Sequence, residues 1–295
     1  MRRRVLAVIA ALALGVTTLF GASSAAFADS PPGGALYVAV GDSEAAGTGN
    51  LPYVDANCLR SARAYPALLA SSLGTQVVSA ACAGATVAQT EEQVGGLAQA
   101  GALGPNTQLV TVTAGVNDTG WQSVLMACSN AGTPIGCQEA YAAALAAVAG
   151  IPQSIGTLVG QIRAAAPNAR IVVTGYPMLF GAVTSSCTVG NFQGTTVKFT
   201  AVQAGLVNAG VGGVNTAVNM GVGAYQSAFT GRFGHPDPAV SYQDVAAGFA
   251  GHSLCDTGSR WISGLANGTA SSDRGFHPNA AGQQAWAAIV AASLH

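Results

Sequence analysis

Leu36-Tyr37-Val38-Ala39-Val40, followed at once by Gly41-Asp42-Ser43-Glu44-Ala45, is the segment on which the fold is read. Five apolar residues without alternation match a parallel strand buried on both faces, because such strands have no solvent side to keep polar. Glycine and an Asx residue then break the strand and open a helix, with Asp42 or Ser43 suited to cap it. The same grammar recurs along the chain. Further strand candidates are Gln76–Ala80, Gln108–Thr113, Arg170–Thr174 and Ala239–Gln243. Helix-compatible stretches lie around Tyr65–Leu73, Gln138–Ala166, Val197–Ala217 and Ala280–Ser293. Alternating strands and helices predict an α/β fold, a three-layer α/β/α sandwich around a mostly parallel sheet. Ligands in such folds bind beyond the carboxyl ends of the strands.

Working outward, Arg2, Arg3 and Arg4 precede an apolar run from Val5 to Phe20, then Ala26-Phe27-Ala28. That order reads as a secretory signal peptide, residues 1–28, too short to anchor in a membrane. A single domain of 295 − 28 = 267 residues follows, 29–295. Removing the leader leaves 8 basic against 12 acidic residues, a formal charge of 8 − 12 = −4. So few cations exclude extensive phosphate contacts, hence nucleic acid as a partner, and a membrane surface held by charge. Half the residues are apolar and 8% are charged, which excludes ordinary disorder. No later run reaches the length of a transmembrane helix, and a monomer is expected.

Six cysteines, Cys58, Cys82, Cys128, Cys137, Cys187 and Cys255, contain no C-x-x-C pair. In an exported chain the even count reads as three disulfides, with fifteen pairings possible. Local closure favours 58–82, 128–137 and 187–255. No metal or other cofactor is expected.

Chemistry is sought where the strands end. Ser43 follows the first strand; G-x-S-x-G, the nucleophile elbow of α/β-hydrolases, occurs nowhere. After the second strand comes Ala81-Cys82-Ala83-Gly84-Ala85-Thr86, where glycine lets the backbone approach a site closely. Ala114-Gly115-Val116-Asn117-Asp118 follows the third strand and offers an asparagine amide. Near the C-terminus, Asp273-Arg274-Gly275-Phe276-His277-Pro278-Asn279 places a histidine just before the last helix. Singly, each is ordinary turn chemistry.

Together, in this order, the four blocks resemble the GDSL, or SGNH, hydrolase family over essentially the whole mature chain. The ACAGAT, GVND and HPNAAGQ segments are most similar to its secreted, six-cysteine actinobacterial esterases and lipases. The resemblance implies the flavodoxin-like three-layer fold and the same sequential disulfides. It implies Ser43 as nucleophile and His277 as general base. The oxyanion hole would comprise the Ser43 and Gly84 backbone N–H groups with the Asn117 amide. The family's usual acid stands three residues before the histidine, where this chain has Arg274; Asp273 is one residue further back. Either Asp273 or a backbone carbonyl, from Arg274 or Gly275, would then orient His277, and the carbonyl dyad is the preferred reading. The expected substrate is a small-molecule or lipid ester. Competing readings are a polysaccharide acetyl esterase and a secreted binding protein that has lost catalysis.

Overall fold

Alternate residues of each apolar strand must find cover on opposite sides of a sheet, and the computed structural model shows both sides covered. It describes residues 33–266 and 273–295; the expected signal peptide lies outside them. In chain order the elements are β1 (Tyr37–Gly41), α1 (Ser43–Ala46), β2 (Tyr53–Asp55), β3 (Arg60–Ser61), α2 (Tyr65–Ser72), β4 (Val77–Ser79), α3 (Val87–Gln99) and β5 (Leu109–Thr113). A 3₁₀ turn (Val116–Thr119) follows, then α4 (Trp121–Ala127), α5 (Pro134–Val148), α6 (Ile151–Ala165) and β6 (Arg170–Thr174). The chain ends with β7 (Ser186–Phe192), β8 (Thr195–Thr200), α7 (Ala201–Phe233), β9 (Val240–Gln243) and α8 (Ala280–Ser293).

The central sheet has the order β4-β1-β5-β6-β9, and every pairing is parallel. Val38, Val40, Val110, Val112, Ile171 and Val173 face one core, closed by α3, α6 and α7 through Leu97, Ile155, Leu158 and Val218. Tyr37, Ala39, Leu109 and Val172 face the other, closed by α2 and α8 through Tyr65, Leu69 and Trp286. The protein is therefore a three-layer α/β/α sandwich. The neighbours of β1 are β4 on one side and β5 on the other, so connections leave it in opposite directions. That reversal opens a crevice at the carboxyl ends of the strands.

All five expected core strands are present, each within one residue of the expected bounds at either end. Two helix expectations need correction. The stretch 138–166 is two helices, α5 and α6, bent by 41°. Pro152, in the first turn of α6, has no N–H to continue the ladder of α5, while the absence of any polar side chain from residue 142 to 151 hid the break. The stretch 197–217 begins as strand and is helix only from Ala201, continuing to Phe233. Thr195–Thr200 alternates buried Val197 and Phe199 with exposed neighbours, and Thr200 then caps α7 in a reciprocal box with Gln203. β7 and β8 form an antiparallel hairpin whose turn, Gln193-Gly194, has φ of 48° and 82°, as a type I′ turn requires. No single described helix is long and apolar enough to cross a membrane.

The disulfides are Cys58–Cys82, Cys128–Cys137 and Cys187–Cys255, the sequential pairing. The second ties the end of α4 to α5, a helix with no fully buried residue.

Candidate active site

Ser43 owes its position to a strand end that admits no side chain. Gly41 has φ 139°, and a Cβ there would lie 2.1 Å from the Thr113 carbonyl oxygen. Gln93 of α3 clamps this glycine, accepting from its N–H at 2.8 Å and donating to its carbonyl at 2.9 Å. Asp42, fully buried, accepts from the Glu44 N–H at 3.1 Å and so caps α1. Its other oxygen accepts the Tyr176 hydroxyl at 2.6 Å, and that hydroxyl accepts the Val116 N–H at 3.2 Å. Burial, with the charge of Glu44 adding, holds the Asp42 carboxyl well above the usual carboxylate range. Ser43 therefore sits as the first residue of a short helix, on a backbone pinned from three strand ends.

His277 is buried, in a loop that turns sharply. Phe276 has φ 66°, an outlier for a bulky side chain. The strain is offset by packing: its ring lies edge-on to Trp121, Phe180 and Phe199, with centroids 6.3–6.5 Å apart. His277 Nδ1 is 3.0 Å from the Gly275 carbonyl oxygen. A carbonyl only accepts, so Nδ1 carries the proton and Nε2 is the free lone pair. Nε2 is buried and has no hydrogen-bond partner among the described residues. Asp273 turns elsewhere, its carboxylate accepting the Tyr53 hydroxyl.

The four sequence blocks close a ring of contacts. Gln283 of α8 donates to the Glu44 carbonyl at 3.1 Å, and Asn50 donates to the Pro278 carbonyl at 2.9 Å, tying the His277 loop to α1. Trp121 sets its ring edge-on to His277, with centroids 6.0 Å apart, and donates its indole N–H to Asn117 Oδ1 at 3.0 Å. Asn117 Nδ2 donates to the Ala85 carbonyl at 3.0 Å, beside Gly84. The Cys82 N–H returns to the Gly41 carbonyl at 3.0 Å.

The donors are left partly unspent. Trp121 fixes the flip of the Asn117 amide, and Ala85 uses one of its two N–H groups. Gly84 has φ 80°, which favours glycine, and its missing Cβ faces open space. Neither the Ser43 nor the Gly84 backbone N–H donates to a protein acceptor among the described residues. Glu44, Tyr176, Gln93 and Trp121 are supporting residues that the sequence reading did not single out. Only Gln93 had a usable signal, since it lies on a helix announced by the T-x-x-Q capping box Thr86–Gln89.

Beside this ring runs a groove lined mainly by apolar side chains. Glu44, Phe276, Pro278, Trp121, Leu125, Tyr141, Leu145, Val148, Leu179 and Val211 are among the residues that line it. Tyr141, Ala144, Leu145 and Val148 come from one face of α5. Among the described residues no group of three histidine, cysteine, aspartate or glutamate side chains is placed to hold a metal ion.

Residues 39–285 match the model of the GDSL-like lipase/acylhydrolase family. A lipase of Streptomyces rimosus is 30% identical over 96% of this chain and 95% of its own length. Lipase 2 of Streptomyces coelicolor is 33% identical, with 96% and 94% covered. Phospholipase A1 from Streptomyces albidoflavus superposes with a TM-score of 0.68 at 29% identity, over 89% of this chain and 99% of that one. The extracellular lipase from Streptomyces rimosus gives 0.66 at 28%, over 87% and 98%. On the match over residues 39–285 and these full-length relatives, the chain belongs to the GDSL-like lipase/acylhydrolase family and is a carboxylic ester hydrolase.

Proposed function

We propose that this protein is a secreted serine esterase or lipase that cleaves acyl esters through a covalent acyl-enzyme. Ser43 Oγ attacks the ester carbonyl carbon while His277 Nε2 takes its proton. The tetrahedral oxyanion is held by the Ser43 and Gly84 N–H groups and the free N–H of Asn117. Collapse expels the alkoxide, which takes the proton back from His277; water then repeats the sequence and releases the carboxylic acid. A serine hydroxyl needs such a base, and each oxyanion donor is worth about 3 kcal/mol. The observation that carries the reading is the ring of contacts, with three unspent donors on one arc and an unpartnered imidazole Nε2 on the other. The Gly275 carbonyl orients the imidazole, which makes the machinery a dyad.

The apolar groove that Glu44, Phe276 and Pro278 help to line suits the acyl chain of a lipid ester. Three disulfides, the reading of residues 1–28 and the extracellular lipase among the similar structures support export. The decisive experiment is hydrolysis of p-nitrophenyl esters from acetyl to palmitoyl, with Ser43→Ala alongside. Activity that persists beyond short acyl groups and falls by at least about 10⁴-fold in the variant is expected. Activity confined to acetyl esters would instead assign an acetyl esterase, and an unaffected variant would remove Ser43 from the mechanism.

A further inference from the structure

The Ser43 hydroxyl donates to Glu44 Oε2 at 3.0 Å, and both side chains are buried. His277 Nε2, the atom proposed to take that proton, has no hydrogen-bond partner among the described residues. The nucleophile is thus engaged by its sequence neighbour while the base stands empty. Glu44 is well placed to hold it. Its N–H is bound by Asp42 Oδ1 at 3.1 Å and its carbonyl by Gln283 Nε2 at 3.1 Å, so its backbone cannot drift. Glu44 also supplies the single carboxylate among the residues lining the groove.

We propose that Glu44 is a positioning residue that latches the Ser43 hydroxyl in a resting orientation turned from His277. The proposal rests on the reading of Ser43 and His277 as nucleophile and base. In acylation the O–H leaves Glu44 Oε2, turns to Nε2 and gives up its proton there as the Oγ–C bond forms. Glu44 takes no proton and makes no bond to the substrate. A hydrogen bond present in the free enzyme and absent from the transition state lowers the ground state alone, so it slows the reaction. Removing it accelerates acylation, the opposite of what damage to a buried structural residue produces.

The test is the second-order rate of labelling by an alkyl fluorophosphonate, with the labelled residue located by peptide mass. Wild type, Glu44→Leu, Glu44→Gln and Ser43→Ala are compared. Glu44→Leu is expected to label about tenfold faster than wild type, the size of one hydrogen bond to a carboxylate. Glu44→Gln gives a smaller rise, because its neutral amide oxygen still accepts, but more weakly. Labelling of wild type at Ser43 with no gain, or a loss, in a cooperatively folded Glu44→Leu overturns the latch and leaves the nucleophile assignment standing. If the leucine variant does not fold, Glu44→Ala poses the same question with the same expected rise. Wild type that labels at another residue, or not at all, overturns the latch and the Ser43 reading together.

Discussion

Tyr53 donates its hydroxyl to the carboxylate of Asp273, four residues before His277, and the same phenol oxygen accepts the Gly49 N–H at 2.9 Å. Burial and this carboxylate push the Tyr53 phenol up to about 12. The contact belongs to a wider seam. A Cβ on Gly49 would lie 2.4 Å from Arg274 Cβ, so the segment after α1 and the His277 loop touch backbone to backbone. Asp273 thus tethers the loop, and its charge is directed at a phenol and not at the imidazole.

From that geometry, Asp273→Asn should retain most activity. Asparagine keeps an oxygen for Tyr53, and Gly275 still holds Nδ1, so kcat/KM is expected to fall by less than about tenfold. A loss near 10⁴-fold with an unchanged fold is what removal of a true triad acid produces. Steady-state kinetics on a p-nitrophenyl ester, with circular dichroism as the control, separates the two.

Asn117→Ala should lower kcat by about 10²–10³-fold with little change in KM, because an oxyanion donor acts only once charge has developed. Trp121→Phe removes the indole N–H that orients the amide and keeps an aromatic edge beside His277. Its expected cost is smaller, about tenfold, and falls on kcat. An alanine variant within tenfold of wild type would take Asn117 out of the oxyanion hole.

Asp42 should leave a signature in stability against pH. Its folded-state carboxyl titrates well above the ordinary range, first through burial and then through the neighbouring Glu44. The folded protein therefore binds this proton more tightly than the unfolded chain. Its contribution to stability is fully present below the unfolded value of about 3.9 and is lost as pH rises towards the folded one. Urea midpoints of wild type and Asp42→Asn, measured from about pH 4 to pH 8, should diverge, the variant gaining relative to wild type as pH rises. A constant difference across that range would reject the assignment.

Removing the Cys128–Cys137 bridge, as Cys128→Ala with Cys137→Ala, should act on the groove more than on the dyad. Closing a loop of this size contributes about 2–3 kcal/mol, and α5 has no fully buried residue to compensate. Because α5 supplies Tyr141, Leu145 and Val148 to the groove, hydrolysis of long-chain esters should fall well before that of the acetyl ester. An equal loss on both would place the bridge's effect elsewhere.

Composition and local order in the chain were enough to specify the layered fold, the five core strands and the blocks containing Ser43, Gly84, Asn117 and His277. Buried parallel strands are apolar throughout, and the residues that end them must turn, so both leave marks within a few positions. Even the disulfide pairing followed from nearness along the chain. The break between α5 and α6 was obscured because residues 142–151 are all apolar or glycine, so no polar turn residue marks it. The hairpin of β7 and β8 depended on positive φ at Gln193, a conformation that side chain does not advertise. What only the tertiary structure decided was the wiring of the site: Tyr53 on Asp273, Gly275 on His277, Trp121 on Asn117, Gln93 on Gly41 and Tyr176 on Asp42. Tyr53 and Asp273 lie 220 residues apart, Tyr176 and Asp42 134, and Gln93 and Gly41 52, so these pairs meet only when the strands are ordered and the His277 loop is seated on α1. A side chain's hydrogen-bond partner is set by three-dimensional proximity and by competition among neighbouring donors and acceptors, and neither is written in local sequence.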